Sequence, residues 1–512
     1  MVNTTAPTRS SLYVIGIGGT GSKCLEAIIH LAAAGIFPLR TLKILFVDAD
    51  ESNGNLERSR QNLGTYASCQ QVIRSTTQQT SWLQTEVKSY DLWSPFGTQA
   101  DEKRLNSFFG YTSMRQQSPE LADLFDVLYT PEEQKTDLAV GFRGRPAIGA
   151  AVMSQINLDR LNERPWSTLI GEIQQDATAG HSVRIILCGS IFGGTGASGL
   201  PTIGKLLSEK VNREGQRNRV KIGALFMLPY FQFAPQGGDV QEDEVFARSE
   251  NFLINTEAAL RYYTKQAEGT FDKVYLLGNE NRSTFNFSIG KTTQKNDPHF
   301  LELYAALAAK DFLTTSDEES PIDQKVVILS RKSLGVLGWS DLPGRAEVRY
   351  KLAQATRFAY VWLDNLLPEF NSIMRSGTTQ YSKIPWFPKF YKTKGGLFGS
   401  KDFLPDFSDP REQEARKAIT NWCTEFTQWL YQIHKCDGDR VDLFMPGALS
   451  SRNGKGTYLN NLMDGDSRAR EIKERDTIQT LLMNLEQTGQ NLDKEHRGTI
   501  GLAKTLFDLC KI

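Results

Sequence analysis

The sequence has few residues of the kinds that build disulfide frameworks and metal centres. Its 512 residues include six cysteines and five histidines, and no two cysteines have the Cys-x-x-Cys spacing. Cysteines scattered in this way argue against a disulfide framework or a zinc knuckle and fit a reducing cytoplasm. The scarcity of histidine argues against a histidine-based metal site, so we assign no metal ligands.

Long apolar runs and an excess of charge of one sign are also missing. The 59 Lys and Arg residues balance 59 Asp and Glu residues, which argues against a dominant electrostatic footprint for nucleic acid. No apolar stretch approaches the roughly 20 residues that span a bilayer. The first residues, MVNTTAPTRSS, are polar and contain no signal-peptide core. We therefore expect a cytoplasmic protein without a membrane span.

Glycine, in contrast, is concentrated in two runs that each follow an apolar strand and precede an amphipathic helix. The strands are predicted over 12–17 and 185–188. Small residues let backbone N–H groups approach an anion, and the start of a helix adds a favourable dipole. The residues predicted to bind phosphate are Gly18, Gly19, Thr20, Gly21 and Ser22 in the first run, and Gly193, Gly194, Thr195, Gly196, Ala197 and Ser198 in the second.

A further apolar strand, predicted over 42–50, ends in two acids, Asp48 and Asp50. Its apolar continuity suits a parallel strand that is covered on both faces. A strand, a glycine loop, a helix and a strand ending in an acid are typical of nucleotide-binding domains. This segment alone fits a dinucleotide-binding Rossmann unit, a ThiF/E1-like adenylating enzyme and the tubulin/FtsZ superfamily.

The order of the later motifs separates these three families. A mixed insertion over about 55–137 is followed by a Gly/Pro stretch containing Gly141 and Gly144. The sequence GGTGASG, a strand over 220–229 ending in proline and an aromatic residue, and an Asn-Asp step at 296–297 come next. This order resembles the tubulin/FtsZ superfamily and has no counterpart in the other two. The chain resembles a divergent bacterial protein of this kind.

The resemblance implies a site for GTP or GDP, with or without Mg²⁺. By position, Glu244 and Arg248 would contact the ribose, and Asn279 would lie against the base. Asp297 would read guanine, because a carboxylate accepts hydrogen bonds from both N1–H and the N2 amine. The family has a stacking aromatic residue where this chain has Thr293, so stacking would come from elsewhere, and Phe287 and Phe300 are candidates.

The resemblance also implies that the chain assembles head-to-tail, with acids of one subunit acting on the nucleotide of the next. The acidic loop after the central helix offers Asp317, Glu319 and Asp323 as catalytic residues of a GTPase. The asparagine of the family pattern is missing, and Asp323 aligns with the second acid. Because this acidic pattern is incomplete, a second hypothesis stays open. The chain would then be a nucleotide-binding scaffold that does not hydrolyse GTP and serves a partner protein.

The predicted fold class is α/β. A Rossmann-like parallel-sheet GTPase domain with a long central helix over 295–313 would occupy residues 1–330, including the insertion over about 55–137. A divergent, mostly helical region over 331–512 would follow, where a partner protein could bind.

Overall fold

The computed structural model describes residues 10–37, 41–75, 80–97, 104–234, 247–266, 269–286, 291–314, 326–329, 339–376, 384–393, 404–436, 441, 443, 459, 468–493 and 496–512. Seven strands of these ranges form a parallel sheet in the order β3-β2-β1-β4-β5-β7-β9, and β6 pairs with β8 separately. The strands are β1 (Ser10–Ile17), β2 (Thr41–Val47), β3 (Glu86–Ser89), β4 (Ser182–Ser190), β5 (Val220–Met227), β6 (Phe231–Phe233), β7 (Lys273–Leu277), β8 (Ser283–Phe285) and β9 (Val326–Leu329).

Helices cover both faces of the sheet and make up most of the chain after it. The helices are α1 (Gly18–Ala33), α2 (Gly54–Arg74), α3 (Leu105–Phe108), α4 (Tyr111–Gln117), α5 (Pro119–Leu128), α6 (Pro131–Lys135), α7 (Pro146–Ser154), α8 (Trp166–Thr178), α9 (Gly194–Arg213), α10 (Phe252–Gln266), α11 (Phe300–Thr314), α12 (Arg345–Val361), α13 (Leu367–Ser376), α14 (Phe387–Phe390), α15 (Pro410–His434), α16 (Arg470–Arg475), α17 (Ile478–Gln490) and α18 (Gly498–Leu509). A parallel sheet with helices on both faces and a helical C-terminal region confirms the predicted fold class.

The continuous apolar runs of the central strands explain why they lie in the middle of the sheet. Side chains of a strand alternate between faces, so a strand that is covered on both sides must be apolar at every position. In β1 the even-numbered Leu12 and Val14 join one hydrophobic cluster, and the odd-numbered Tyr13, Ile15 and Ile17 join the other. Helices α1, α2 and α11 cover the first face, and α7 to α10 cover the second.

The strand order reverses between β1 and β4, and this reversal fixes where a ligand can bind. From β1 the sheet continues through β2 to β3 on one side, and from β4 it continues through β5 to β9 on the other. The helices that follow two such neighbouring strands lie on opposite faces, which opens a crevice at the carboxyl ends of the strands. The two predicted glycine runs follow β1 and β4 directly.

Two elements differ from the sequence predictions. The segment 55–137, described above as a mixed insertion, contributes β3 to the sheet edge and most of α2 to the packing around α1. The central helix α11 begins at Phe300, five residues after the predicted start at Lys295. Pro298 disfavours helical backbone in the residue before it. The helix then begins where the Glu302 side chain accepts a hydrogen bond from the His299 N–H at 2.9 Å.

The C-terminal helices pack on the α1 face of the sheet. Trp429 of α15 stacks on His30 of α1 with ring centroids 4.5 Å apart, and Phe507 of α18 stacks on Trp82 at 5.5 Å. One hydrophobic cluster therefore contains residues of both parts of the chain. The division at residue 330 stays a prediction. No helix within the described ranges is long and apolar enough to cross a membrane.

Candidate functional site

A cleft at the carboxyl ends of β1, β2 and β4 brings many of the predicted residues together. It lies at the point where the strand order reverses. The predicted residues that line it are Gly18, Gly19, Thr20, Asp48, Asp50, Gly141, Gly144, Gly193, Gly194, Thr195 and Gly196.

Two helices begin in this cleft with glycine. Helix α1 begins at Gly18, whose φ of +73° favours glycine, and α9 begins at Gly194. A Cβ on Gly196 would lie 2.3 Å from the carbonyl oxygen of Ser190, so only glycine fits there. The first N–H groups of a helix have no partner within the helix. Two sets of such donors therefore face one cleft, which is an arrangement suited to an anion with several oxygens.

Four predicted phosphate ligands lie outside this cleft, because both helices begin earlier than the glycine runs suggest. Gly21 and Ser22 are buried within α1, and Ala197 and Ser198 are buried within α9. A Cβ on Gly21 would lie 2.5 Å from the carbonyl oxygen of Cys188. The Ser198 hydroxyl donates a hydrogen bond to the carbonyl of Gly194 at 2.8 Å. Gly21 therefore packs α1 against the sheet, whereas Ser198 lies against Gly149 of α7.

Asp48 has the most unusual electrostatic environment among the acids of the cleft. Its side chain is buried, and burial raises the pKa of Asp48 to about 8, even though hydrogen bonds from the backbone N–H groups of Asp50 and Ala49 lower it. The Oδ1 atom accepts from the Asp50 N–H at 3.2 Å. The Oδ2 atom meets no hydrogen-bond donor in the part of the chain that is described. An acid with this raised pKa is protonated near pH 7, and a side-chain hydrogen bond with Thr195 of the second glycine run also lowers its pKa.

The Gly/Pro stretch forms one wall of the cleft with a strained backbone. Gly141, Arg143 and Gly144 all have positive φ, at +78°, +46° and +68°. Such a conformation is uncommon for arginine and costs on the order of 1 kcal/mol. Arg143 lines the cleft, whereas Arg145 points elsewhere and lies 3.5 Å from a carboxylate oxygen of Glu133. Of the two arginines in this stretch, only Arg143 lines the cleft.

An aromatic wall that the sequence interpretation missed lines another side. It consists of Phe192, Phe231, Phe233 and Phe252. Phe192 lies 4.8 Å from Phe252 and 5.4 Å from Phe231 between ring centroids, so the four rings support one another. The predicted stacking candidate Phe300 is buried at the start of α11 and does not line the cleft. Apolar rings here give a flat ligand group a surface to pack on.

A group of polar side chains, also missed, forms the end of the cleft next to Gly19. It consists of Lys23, Asn53, Asn55, Gln294 and Asn296. The Asn53 side chain caps α2 by accepting from the N–H groups of Asn55 and Leu56. An Asn-x-Asn step directly after a strand that ends in acids is a signal that could have indicated this cap.

Other predicted residues lie away from the cleft or outside the described ranges. Asp297 is exposed and lines a neighbouring cavity with Thr293, and Arg248 and Asn279 do not line the cleft. Phe287, Glu244, Asp317, Glu319 and Asp323 lie outside the described residues. Across the ranges that are described, no group of three or more His, Cys, Asp or Glu side chains could hold a metal ion.

A family model described as "Tubulin like" matches residues 142–334, which contain the second glycine run, the proline–aromatic strand end and the Asn-Asp step. Over these residues the chain is similar to the tubulin-like family. This confirms the resemblance that the order of the motifs indicated. None of the curated proteins searched matches this tubulin-like chain.

Solved structures also match parts of the tubulin-like chain. CetZ2 from Haloferax volcanii, in a GTPγS-bound protofilament, shares 14% identity over 60% of each chain, with a TM-score of 0.28. CetZ from Methanosaeta thermophila shares 14% over 61% of this chain and 56% of its own, at a TM-score of 0.25. An FtsZ mutant from M. jannaschii shares 15% over 53% and 48%, at 0.22. These matches cover less than two thirds of each solved chain.

Proposed function

We propose that this chain binds GTP and GDP in the cleft at the ends of β1, β2 and β4, and assembles head-to-tail with copies of itself. Hydrolysis of GTP would then be completed by acids of the neighbouring subunit. The observation that carries the proposal is the convergence of two glycine-started helices, α1 and α9, on one cleft at the reversal of the strand order. The similarity of residues 142–334 to a tubulin-like family supports guanine as the base.

The residues present fit such a nucleotide. Backbone N–H groups at Gly18, Gly19 and Gly194 to Gly196, with the hydroxyls of Thr20 and Thr195, would hold the phosphates. Asp48 and Asp50 supply carboxylates beside them. Mg²⁺ commonly takes one or two carboxylates together with substrate phosphates, so it would enter with the nucleotide. Its chemistry there would be to neutralise charge on the phosphates.

Binding is tested by substituting one glycine that lines the cleft and one glycine that lies outside it. We expect Gly196→Ala to weaken GDP binding at least about tenfold, because its Cβ would displace Ser190 and the start of α9. Gly64→Ala is the matched control, since Gly64 also lies in a helix, is exposed, and its Cβ would meet nothing within 4 Å. Titration with a fluorescent guanine nucleotide measures the affinity of both variants.

Thr195→Ala is the second variant, for the case in which Gly196→Ala does not fold. It removes one hydroxyl donor and leaves the backbone unchanged. Equal affinity in the parent, Thr195→Ala and Gly64→Ala would contradict the assignment.

Hydrolysis and assembly are tested together, because acids supplied by a neighbour act only in the assembly. We expect GTP-dependent pelleting and a hydrolysis rate that rises more than linearly with protein concentration. Asp323→Ala should abolish hydrolysis and leave GDP affinity unchanged, whereas Asp364→Ala, an exposed acid of the C-terminal region, should behave as the parent. An Asp323→Ala variant that hydrolyses GTP at the parent rate would overturn the assignment of this acid.

The alternatives make different predictions in the same experiments. A non-hydrolysing scaffold would bind guanine nucleotides with slow turnover and form no filaments under the electron microscope. An adenylating enzyme would exchange pyrophosphate with ATP. All six cysteines of the chain are buried, so none is presented as the nucleophile that such an enzyme would use to accept the activated product.

A further inference from the structure

A groove among α7, α9 and α10 lies beside the cleft and is separate from it. Its cavity has a volume of about 910 Å³, which is within the range of sites for small organic ligands. Within the described residues none lines both spaces, although Gly196 of the cleft and Ala197 of the groove are consecutive. The residues that define what we call the three-helix groove are Ala147, Ala150, Ala197, Pro201, Ala258 and Tyr263.

Small side chains keep this groove open. Helix α7 contributes Ala147 and Ala150 to its lining, α10 contributes Ala258, and all three residues are exposed. Packed helices normally fill such a space with larger, interlocking side chains. Here the space is open to solvent, so a ligand that covers its apolar surface would remove that surface from water.

The hydroxyl groups on the α9 side of the groove are already used within the protein. Pro201 has no N–H, so the carbonyl of Ala197 receives no hydrogen bond from the next turn of α9. The Tyr263 hydroxyl of α10 donates to this carbonyl at 2.7 Å. The hydroxyls of Ser198 and Thr202 donate to backbone carbonyls of α9, at 2.8 and 3.0 Å. These three hydroxyls have no proton left for a ligand, which favours an apolar ligand body on this side.

Arg145 supplies a positive charge to the groove it lines. Its side chain is 35% exposed, and its Nη1 lies 3.5 Å from Glu133 Oε1, which is too far for a good hydrogen bond. The Oε2 atom of Glu133 accepts from the Thr130 N–H at 3.1 Å. The Nε atom of Arg145 meets no acceptor among the residues that the structure describes. The guanidinium therefore retains donors for an acidic group, whose two oxygens it can bind side by side.

Aromatic rings at the groove favour a flat ligand. Tyr262 is 52% exposed, and its ring centroid lies 6.1 Å from that of Tyr263. The two rings give a planar apolar body surfaces to pack on. The other charged side chains of the lining, apart from Arg145 and Glu133, balance in sign: Lys205, Arg213, Asp159 and Glu209. The sign of the ligand charge is therefore decided by Arg145.

We propose that the three-helix groove binds a flat aromatic molecule that carries one acidic group, a carboxylate or a sulfonate. The aromatic body lies along the alanines and against the two tyrosines, and the acidic group pairs with Arg145. This site is independent of the proposed nucleotide site, so the chain can hold both ligands at the same time.

The test uses the full chain and two dyes with the same ring system, whose fluorescence rises in apolar surroundings. One is anilinonaphthalene sulfonate and the other is its uncharged analogue, phenylnaphthylamine. We expect saturable binding of the sulfonate and about tenfold weaker binding of the uncharged dye, which lacks the charged hydrogen bonds. Equal affinity for the two dyes would overturn the assignment of an acidic ligand.

Saturating GDP separates the groove from the cleft. We expect the affinity for the sulfonate dye to stay within about twofold, because the two spaces share no lining residue. Displacement of the dye by GDP would place the dye in the cleft and overturn the proposal. If GDP itself does not bind, the proposed function fails, and the groove is still tested by the substitutions below.

Two substitutions that fill the groove locate the site. Ala150→Trp and Ala258→Trp place a large ring in it from α7 and from α10, and both positions are exposed, so the fold should tolerate them. We expect each to weaken binding of the sulfonate dye at least about tenfold. Ala67→Trp is the matched control, since Ala67 is exposed on α2 and does not line the groove. Parent affinity in both groove variants would overturn the proposal.

Arg145→Gln tests the partner of the acidic group. We expect it to lower the affinity for the sulfonate dye to that for the uncharged dye, and to leave the uncharged dye unaffected. Arg160→Gln is the matched control, because the Arg160 side chain is 34% exposed and does not line the groove. Unchanged affinity for the sulfonate in Arg145→Gln would contradict the proposal. An affinity that falls as the protein concentration rises would show that a second copy of the chain fills the groove instead.

Discussion

At the scale of single residues, Asp48 is the acid of the cleft whose pKa is changed most by burial. The pKa of a free aspartate is about 3.9, and burial holds that of Asp48 at about 8. The folded chain therefore binds a proton more tightly than the unfolded chain does between these two values. Stability linked to this group is fully present below pH 4 and is lost as the pH rises through 8.

Asp48→Asn removes this pH dependence. In nucleotide-free protein with a chelator present, we expect the melting temperature of the parent to fall relative to that of the variant as the pH rises from about 4 to about 8. Below about pH 4 the difference should be constant. Thermal unfolding measured across this range checks it. A difference that does not vary with pH would mean that Asp48 titrates normally in the folded chain.

The cleft residues that could be predicted from the sequence are glycines, whose backbone can approach a ligand closely. Gly18, Gly19, Gly194 and Gly196 were found because glycine runs after strands mark close approach of backbone to a ligand. Lys23, Asn55 and Gln294 were missed because they come from distant parts of the chain and meet only in the folded cleft. Sequence spacing contains no such information.

At the scale of elements, a buried ion pair connects the two helices beside the cleft. Glu26 of α1 takes hydrogen bonds from Arg58 of α2 through both carboxylate oxygens, at 2.8 to 3.0 Å. Arg58 also holds the carbonyl of Asn296, just before α11. The Glu26 side chain is 1% exposed, and that of Arg58 is 13% exposed. This pair positions three elements at the polar end of the cleft, next to Gly19.

Glu26→Gln should be strongly destabilising, because it leaves the charge of Arg58 buried without its partner. We expect the free energy of unfolding to fall by about 3 kcal/mol or more. The control is Glu257→Gln, which breaks the exposed pair of Glu257 and Arg261 and should cost about 0.5 kcal/mol or less. Urea denaturation measures both. Similar losses in the two variants would show that the buried pair has no special role.

Element boundaries were predicted less well than element types. Strands β1, β2, β4 and β5 were recognised from continuous apolar runs, and the helices after β1 and β4 from their periodicity. Strand β3, with the sequence EVKS, is short and polar because it forms an edge of the sheet, so no alternation pattern marks it. The start of α11 depends on Glu302, whose side chain accepts a hydrogen bond from the His299 N–H, and this contact does not show in the periodicity of the sequence.

At the scale of the whole molecule, the C-terminal helices and the helices on the α1 face of the sheet share one hydrophobic cluster. Phe507 of α18 is fully buried and packs on Trp82, which in turn packs on Phe358 and Trp422. Which helix faces meet across this interface is decided by tertiary packing, and the sequence pattern alone did not indicate it. Shared burial of this kind makes the two parts fold as one cooperative unit.

Phe507→Ala, a change in α18, tests whether the C-terminal helices and the sheet unfold together. We expect the free energy of unfolding to fall by about 3 to 5 kcal/mol. Circular dichroism and release of bound nucleotide should report the same, single unfolding transition. Val127→Ala, at a side chain that is 82% exposed, should change stability by less than about 0.5 kcal/mol. Nucleotide release at the parent's denaturant midpoint in Phe507→Ala would show that the two parts unfold independently.

The last residues of β4 support both of the helices that begin in the cleft. Gly21 of α1 rests against the carbonyl of Cys188, and Gly196 of α9 rests against the carbonyl of Ser190, each with no room for a methyl group. Neither helix start can shift without pushing on this strand end, and the strand end cannot shift without moving both. A displacement of one helix start is therefore transmitted to the other through the end of β4. If a terminal phosphate left either loop, the helices on both faces of the sheet would shift.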